Sequence, residues 1–149
     1  MGIVVAAAVL VAMMAEPLRD PATVDICQKV PGNEVAKLLG KGLKETRPYL
    51  LKGKFSRCTY LLTESGSSET AGYVLYLYPP EEYDRLLTHT QGIVEKPAGF
   101  GDEAVLFVDM DQRTKLRLVL RERFTLEATA ADAESAKKLA QFASDLLSR

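Results

Sequence analysis

Tryptophan is absent from this chain, histidine occurs once, at His89, and cysteine twice, at Cys27 and Cys58. Each scarcity removes a class of function. His89 falls on a predicted helix, away from its apolar stripe. A catalytic histidine needs a nucleophile and an orienting carboxylate nearby, and the local sequence supplies neither. The two cysteines have neither the CxxC spacing of a redox motif nor the spacing of a zinc site. The apolar run Ile3–Ala15 is only thirteen residues long. As a helix it would reach about 20 Å, short of a hydrocarbon core of roughly 30 Å. With 47% hydrophobic and 26% charged residues and a net charge of -1, the chain is not disordered, collagenous or polytopic.

What is present begins with that run. IVVAAAVLVAMMA carries no polar residue and stops at Glu16-Pro17 after small residues, with Ala12 or Ala15 at a possible cut. Its length fits the apolar region of a signal peptide. The usual positive flank is missing, so either the natural start lies upstream or the signal is weak. A buried helix or strand is the structural alternative. Residues 1–21 are thus read as a signal-like segment and linker, and residues 22–149 as one domain of ordinary size. The expected location is outside the cytoplasm, in the periplasm or cell envelope. There Cys27 and Cys58 would pair. Two separate buried thiols are the other reading. Asp25 before Ile26-Cys27 does not suit a lipoprotein processing site, so no lipid anchor is expected.

Periodicity then predicts the elements. A helix opens at Val30-Pro31-Gly32-Asn33 and stops at Gly40. Lys41–Lys54 reads as a basic loop, with at most a short strand at Glu45–Tyr49. Strands follow at Phe55–Leu62 and Ala71–Tyr78, joined by a polar hairpin loop. Tyr73–Tyr78 is apolar on both faces, which predicts a central strand. A helix from Pro80 to Gln91 precedes strands at Glu103–Val108, Lys115–Arg121 and Phe124–Ala128. Keeping both apolar sets on one face pairs Leu120 with Phe124 and Leu118 with Leu126, which puts Arg117 opposite Glu127. The resulting turn, Arg121-Glu122-Arg123, lacks glycine, so a bulge is expected there. Asp132 caps a last helix with an unbroken apolar stripe. The expected fold class is α+β: an antiparallel sheet of about five strands with helices on one face, in the order α-β-β-α-β-β-β-α.

Candidate sites are few. Ser65, Ser67 and Ser68 do not form a nucleophile elbow. Asp109-Met110-Asp111 lacks the glycine and closing glutamate of a calcium loop. Gly99-Phe100-Gly101 precedes a strand, not a helix, and reads as a turn rather than a phosphate loop. No catalytic residue, metal or cofactor is therefore assigned. Charge is the uneven feature. Lys41, Lys44, Arg47, Lys52, Lys54 and Arg57 stand against Glu45 alone, a net of +5. Thr59–Glu103 carries eight acidic residues against Arg85 and Lys96, a net of -6. The six cations, with Tyr49 and Phe55 among them, form a candidate anion- or partner-binding segment, facing an acidic partner, a polyanionic wall polymer or lipid headgroups. The plainer alternative is a solvated loop paired with the acidic half of the same chain. Nucleic acid is not expected at this net charge.

Several short motifs resemble a group of small bacterial envelope domains of unknown function, often lipoproteins. They are Cys27 before a helix ending Leu38-Leu39-Gly40, Cys58-Thr59-Tyr60, the Gly99–Ala104 turn and the Ala/Leu-rich terminal helix. The resemblance implies a cysteine pair and an α+β fold of the PsbP/Mog1 type, and it carries over no catalytic residues because none are established for the group. The functional expectation is a monomeric, non-catalytic envelope module that binds an envelope protein or anionic polymer. One alternative is a carrier of a small apolar ligand in a cleft beside strand 71–78. Another is a hydrolase assembled from His89, Asp102, Glu103 and the serines.

Overall fold

The computed structural model describes residues 20–64 and 66–149. The signal-like run Ile3–Ala15 and Ser65 lie outside them. The fold is α+β, built on one antiparallel sheet of seven strands rather than about five. In chain order these are β1 (Gly42–Leu51), β2 (Phe55–Thr63), β3 (Thr70–Tyr78), β4 (Ile93–Glu95), β5 (Glu103–Val108), β6 (Thr114–Leu120) and β7 (Phe124–Ala130). They lie side by side as β1-β2-β3-β7-β6-β5-β4, so β3 is interior as expected. The helices are α1 (Ile26–Lys29), α2 (Gly32–Leu39), α3 (Glu82–Thr88) and α4 (Ala133–Leu147), so the expected order α-β-β-α-β-β-β-α does not hold: Asp25 caps an extra helical turn before α2, and each group of strands gains one.

Two strands exceed the expectation. The basic segment is mostly strand, because Gly42–Leu51 pairs along its whole length with β2. Its lysines and Pro48 disguise it in sequence. On an edge strand both are at home, since one rim of the backbone faces water. β4 is three exposed residues between Gly92 and Pro97, too short to show a period. Pro21, expected at the end of the linker, instead opens a tucked 3₁₀ turn, Pro21–Thr23. Pro21 and Ala22 are buried, and the Ser56 hydroxyl donates to the Pro21 carbonyl at 2.9 Å.

Residues paired across antiparallel strands share a face. One face carries Cys58, Tyr60, Leu62, Tyr73, Leu75, Leu77, Leu116, Leu118, Phe124 and Leu126, all buried. α4 packs on it with Ala136, Leu139, Ala140, Ala143 and Leu147, beside α2. Each fully buried Leu contributes roughly 1.5–3 kcal/mol by leaving water. Asp132 caps α4 by accepting from the Ser135 amide at 2.7 Å. Gly40 closes α2 at φ 67, a left-handed conformation that glycine takes without steric penalty.

The helices do not all lie on that face. α3 sits on the opposite side, where Thr125 donates to the Pro80 carbonyl and Arg117 to the Thr90 hydroxyl. The alternating strands β6 and β7 are buried on both faces, so α3 is needed to cover the second one. The register of β6 and β7 is the expected one, Leu120 to Phe124 and Arg117 to Glu127. No bulge interrupts it, and Arg121–Arg123 stays at negative φ.

Cys27 on α1 and Cys58 on β2 form a disulfide with a Cα–Cα distance of 5.3 Å. Cys58 lies opposite Pro48 of β1 and Leu75 of β3. The bond therefore fastens the N-terminal helix to the buried face beside the basic edge strand.

Candidate functional site

Among the described residues α3 covers the β6–β7 end of the second face and leaves its β1–β3 end open, with Phe55, Arg57, Tyr76 and Tyr78 half-buried there. In the register of β1 with β2, Tyr49 lies opposite Arg57, Leu50 opposite Ser56 and Leu51 opposite Phe55. In the next pairing Arg57 lies opposite Tyr76. Tyr49, Leu51, Phe55, Arg57, Tyr76 and Tyr78 thus share the open face. Their rings form a continuous shelf. Phe55 lies 6.0 Å from Tyr49, 5.5 Å from Tyr76 and 5.7 Å from Tyr78, centroid to centroid. The Arg57 guanidinium sits 4.6 Å from the Tyr49 centroid and 5.8 Å from that of Tyr76, within cation–π range. Among the described residues it meets no carboxylate, and its buried Nε finds no acceptor. Burial drives the Tyr78 phenol up from its ordinary range, with the nearby Glu127 charge adding to it.

The six cations of the basic segment are not equivalent. Lys41 pairs with Glu64, which raises its pKa, and Arg47 pairs with its strand neighbour Glu45 at 2.8 Å. Arg57 is stacked on aromatic rings. Among the described residues Lys44, Lys52 and Lys54 make no ion pair. Lys52 and Lys54 flank Gly53, whose φ of 78 turns the chain at the β1–β2 tip. Among the described residues, Glu64 alone of the acidic half pairs with the basic segment. Asp84 and Glu103 bind Arg121, Glu82 binds Arg85 and Glu95 binds Lys137. Cationic and acidic halves are therefore largely separate systems.

The tip also carries exposed apolar surface. Tyr49, Leu50 and Leu51 are 45%, 46% and 41% exposed in succession. A groove of about 270 Å³ runs behind them, between Val24–Ile26 and Pro48, Tyr49, Leu50 and Arg57. A larger cleft of about 690 Å³ opens beside Leu51, Phe55 and Tyr78. Lys54, Arg85, Glu81 and Glu82 line it as well, so its formal charges cancel. This cleft borders strand 71–78 at its end. The inward set Tyr73, Leu75 and Leu77 fills the core instead.

The other candidates disperse. His89 is an exposed residue at the end of α3. Asp102 accepts from the Arg121 amide and Glu103 from its guanidinium. The Ser67 hydroxyl accepts from the Glu69 amide within its own loop. Asp109 and Asp111 both turn toward Lys115, at 2.7 and 3.6 Å. Gly99 and Gly101 take left-handed φ in a turn.

The cations are legible in the sequence as a charge run, and the shelf is not. Tyr76 and Tyr78 alternate on one face of β3, and Phe55 and Arg57 do so on β2. Only the registers between strands show that these sets meet. No family model, curated protein or solved structure matches the chain. Among the described residues no helix is long and apolar enough to cross a membrane.

Proposed function

We propose that this chain is a non-catalytic binding module of the cell envelope, and that it binds through the β1–β2 end of its sheet. One observation carries the reading. Among the described residues a shelf of four aromatic rings, Tyr49 exposed and Phe55, Tyr76 and Tyr78 half-buried, holds Arg57 without a carboxylate, next to Lys52 and Lys54, which make no ion pair there. A protein optimised only for stability would cover such rings or pair such charges. Aromatic residues and arginine are also the side chains that dominate binding energy at interfaces. The disulfide supports the extracytoplasmic setting, where such bonds persist. The resemblance to envelope domains adds to it, as does the signal-like run Ile3–Ala15.

Reversal of charge at the tip tests the reading. Envelope extract is passed over wild type and over a K52E/K54E/R57E variant of equal stability. Loss of specific partners from the variant is expected. The same partners recovered by both would remove this end of the sheet from consideration.

A carrier function rests on the 690 Å³ cleft beside Tyr78. Its mixed-charge lining suits a zwitterionic or polar ligand better than a small apolar one. Native mass spectrometry of protein from its own host would show an adduct if the cleft holds one.

A further inference from the structure

We infer that the β1–β2 tip docks on an anionic lipid surface, with Leu50 and Leu51 entering the headgroup–acyl boundary and Lys52 and Lys54 facing the headgroups. The inference rests on the proposal that this end is the binding face, and names what it meets. Three observations single out a bilayer.

The first is direction. Successive strand residues point to opposite faces. Tyr49 and Leu51 face the open shelf, whereas Leu50 shares the side of Ser56, the packed side. All three are nevertheless more than 40% exposed, so the tip projects past the core. One flat protein surface covers one face of a strand. Immersion in a fluid interface covers both.

The second is the order of residue types. An aromatic residue comes first, then two leucines, then Lys52-Gly53-Lys54, then Phe55. Interfacial segments combine leucine for the acyl boundary, aromatic rings at headgroup level and lysines whose stems let the ammonium reach phosphate. Among the described residues neither lysine makes an ion pair, and the nearest acidic group in the adjoining cleft that is not already paired is Glu81 beside Lys54.

The third is Pro48. Among the described residues no strand pairs with the outer rim of the ten-residue β1, an edge that would otherwise invite an added peptide strand. Pro48 removes a backbone donor in the middle of β1, and the register slips between Leu43 and Glu45. The edge is thus blunted against a peptide, whereas the tip beyond it is left apolar.

Since the chain has no tryptophan, one introduced indole reports its own position. Full-length L51W is mixed with phosphatidylglycerol vesicles and with phosphatidylcholine vesicles. A second variant, M110W, places the indole on the 92% exposed Met110 of the β5–β6 turn. Ile3–Ala15 is common to all variants, so the difference between positions is the readout. The expected result is a blue-shifted emission for L51W with the anionic vesicles, and none for M110W. Adding K52Q/K54Q to L51W should lower the partition coefficient roughly thirtyfold, from two lysines near an anionic surface. An unshifted L51W, equal shifts at both positions, or a shift indifferent to the lysines would each overturn the inference. Urea midpoints confirm that each variant is folded. Inorganic polyphosphate is titrated in parallel without lipid. A response to polyphosphate alone would overturn lipid docking while keeping the tip as an anion-binding face. Silence in this assay with tip-dependent partners in the extract experiment would likewise remove only the lipid.

Discussion

Arg117 and Glu127 face each other across β6 and β7, 2.7 Å apart, with side chains 7% and 8% exposed. Two guanidinium nitrogens, Nε and Nη2, donate to the same Glu127 oxygen. The third, Nη1, donates to Thr90 at 2.6 Å, and Phe107 covers the group at 4.7 Å. The pair therefore holds the segment after α3 on the second face. Removing one partner strands a buried charge, whereas removing both does not. E127L is expected to cost about 3–5 kcal/mol, and the double variant R117M/E127L to recover most of it. Urea unfolding of the two singles and the double gives the coupling directly. Additive effects would show that the pair is more hydrated than its burial indicates.

Tyr83 of α3 is fully buried, and its hydroxyl has no partner among the described residues. Burial, reinforced by the Glu103 charge, pushes its pKa up to about 12. A phenol raised in the folded state keeps its full contribution below the unfolded value of about 10. The contribution is lost as pH climbs from there through the folded value. Stability should accordingly fall between pH ~10 and pH 12. Y83F should flatten that limb. At neutral pH it should cost little or even stabilise, since no hydrogen bond is lost. Denaturant midpoints across that range, read beside phenolate absorbance, check both. A limb unchanged by Y83F would assign the effect to Tyr60 or Tyr78, both of which burial also raises.

Which parts of this fold were legible follows from what each element needs from its neighbours. Asp132 and the stripe Ala136–Leu147 are read from local spacing alone. The β6–β7 register was legible too, because two alternating leucine and phenylalanine sets admit one pairing that keeps both inside. β1 was obscured because edge strands carry the same lysines and proline as loops. The side of the sheet taken by α3 depends on Arg117–Thr90 and Thr125–Pro80, contacts between distant segments. The cations of the tip stood out as a charge run. The aromatic shelf beneath Arg57 needs two strand registers at once, and no single window contains it.

Asp132 provides a local measure of helix strength. Its carboxylate accepts from the Ser135 amide at 2.7 Å and from the Ser135 hydroxyl at 3.2 Å. D132A should therefore cost about 1 kcal/mol, and D132N distinctly less, since asparagine also caps. Thermal midpoints of the three proteins give the order. Equal losses for both would locate the benefit in the negative charge near the helix dipole rather than in the hydrogen bond.

The disulfide closes a loop across a sequence separation of 31, from α1 over the whole of β1 to the middle of β2. In the chain-entropy model that contributes about 3–4 kcal/mol. C27S/C58S is expected to lose that amount in urea, mostly through a freer unfolded chain. The native packing gives a second consequence. α1 is only four residues long, and apart from the disulfide it is tied down by Ile26, Val30 and the bond from the Tyr60 hydroxyl to the Val30 carbonyl at 2.7 Å. Amide exchange in residues 24–30 should therefore accelerate in the variant more than exchange in β6 or β7. The groove behind Leu50 is walled by those same residues, so the tip should lose its backing while keeping its lysines. Vesicle partition of the variant should then fall several-fold without change in its dependence on Lys52 and Lys54. Uniform acceleration across the sheet, with partition intact, would mean that the bond acts on the unfolded chain alone.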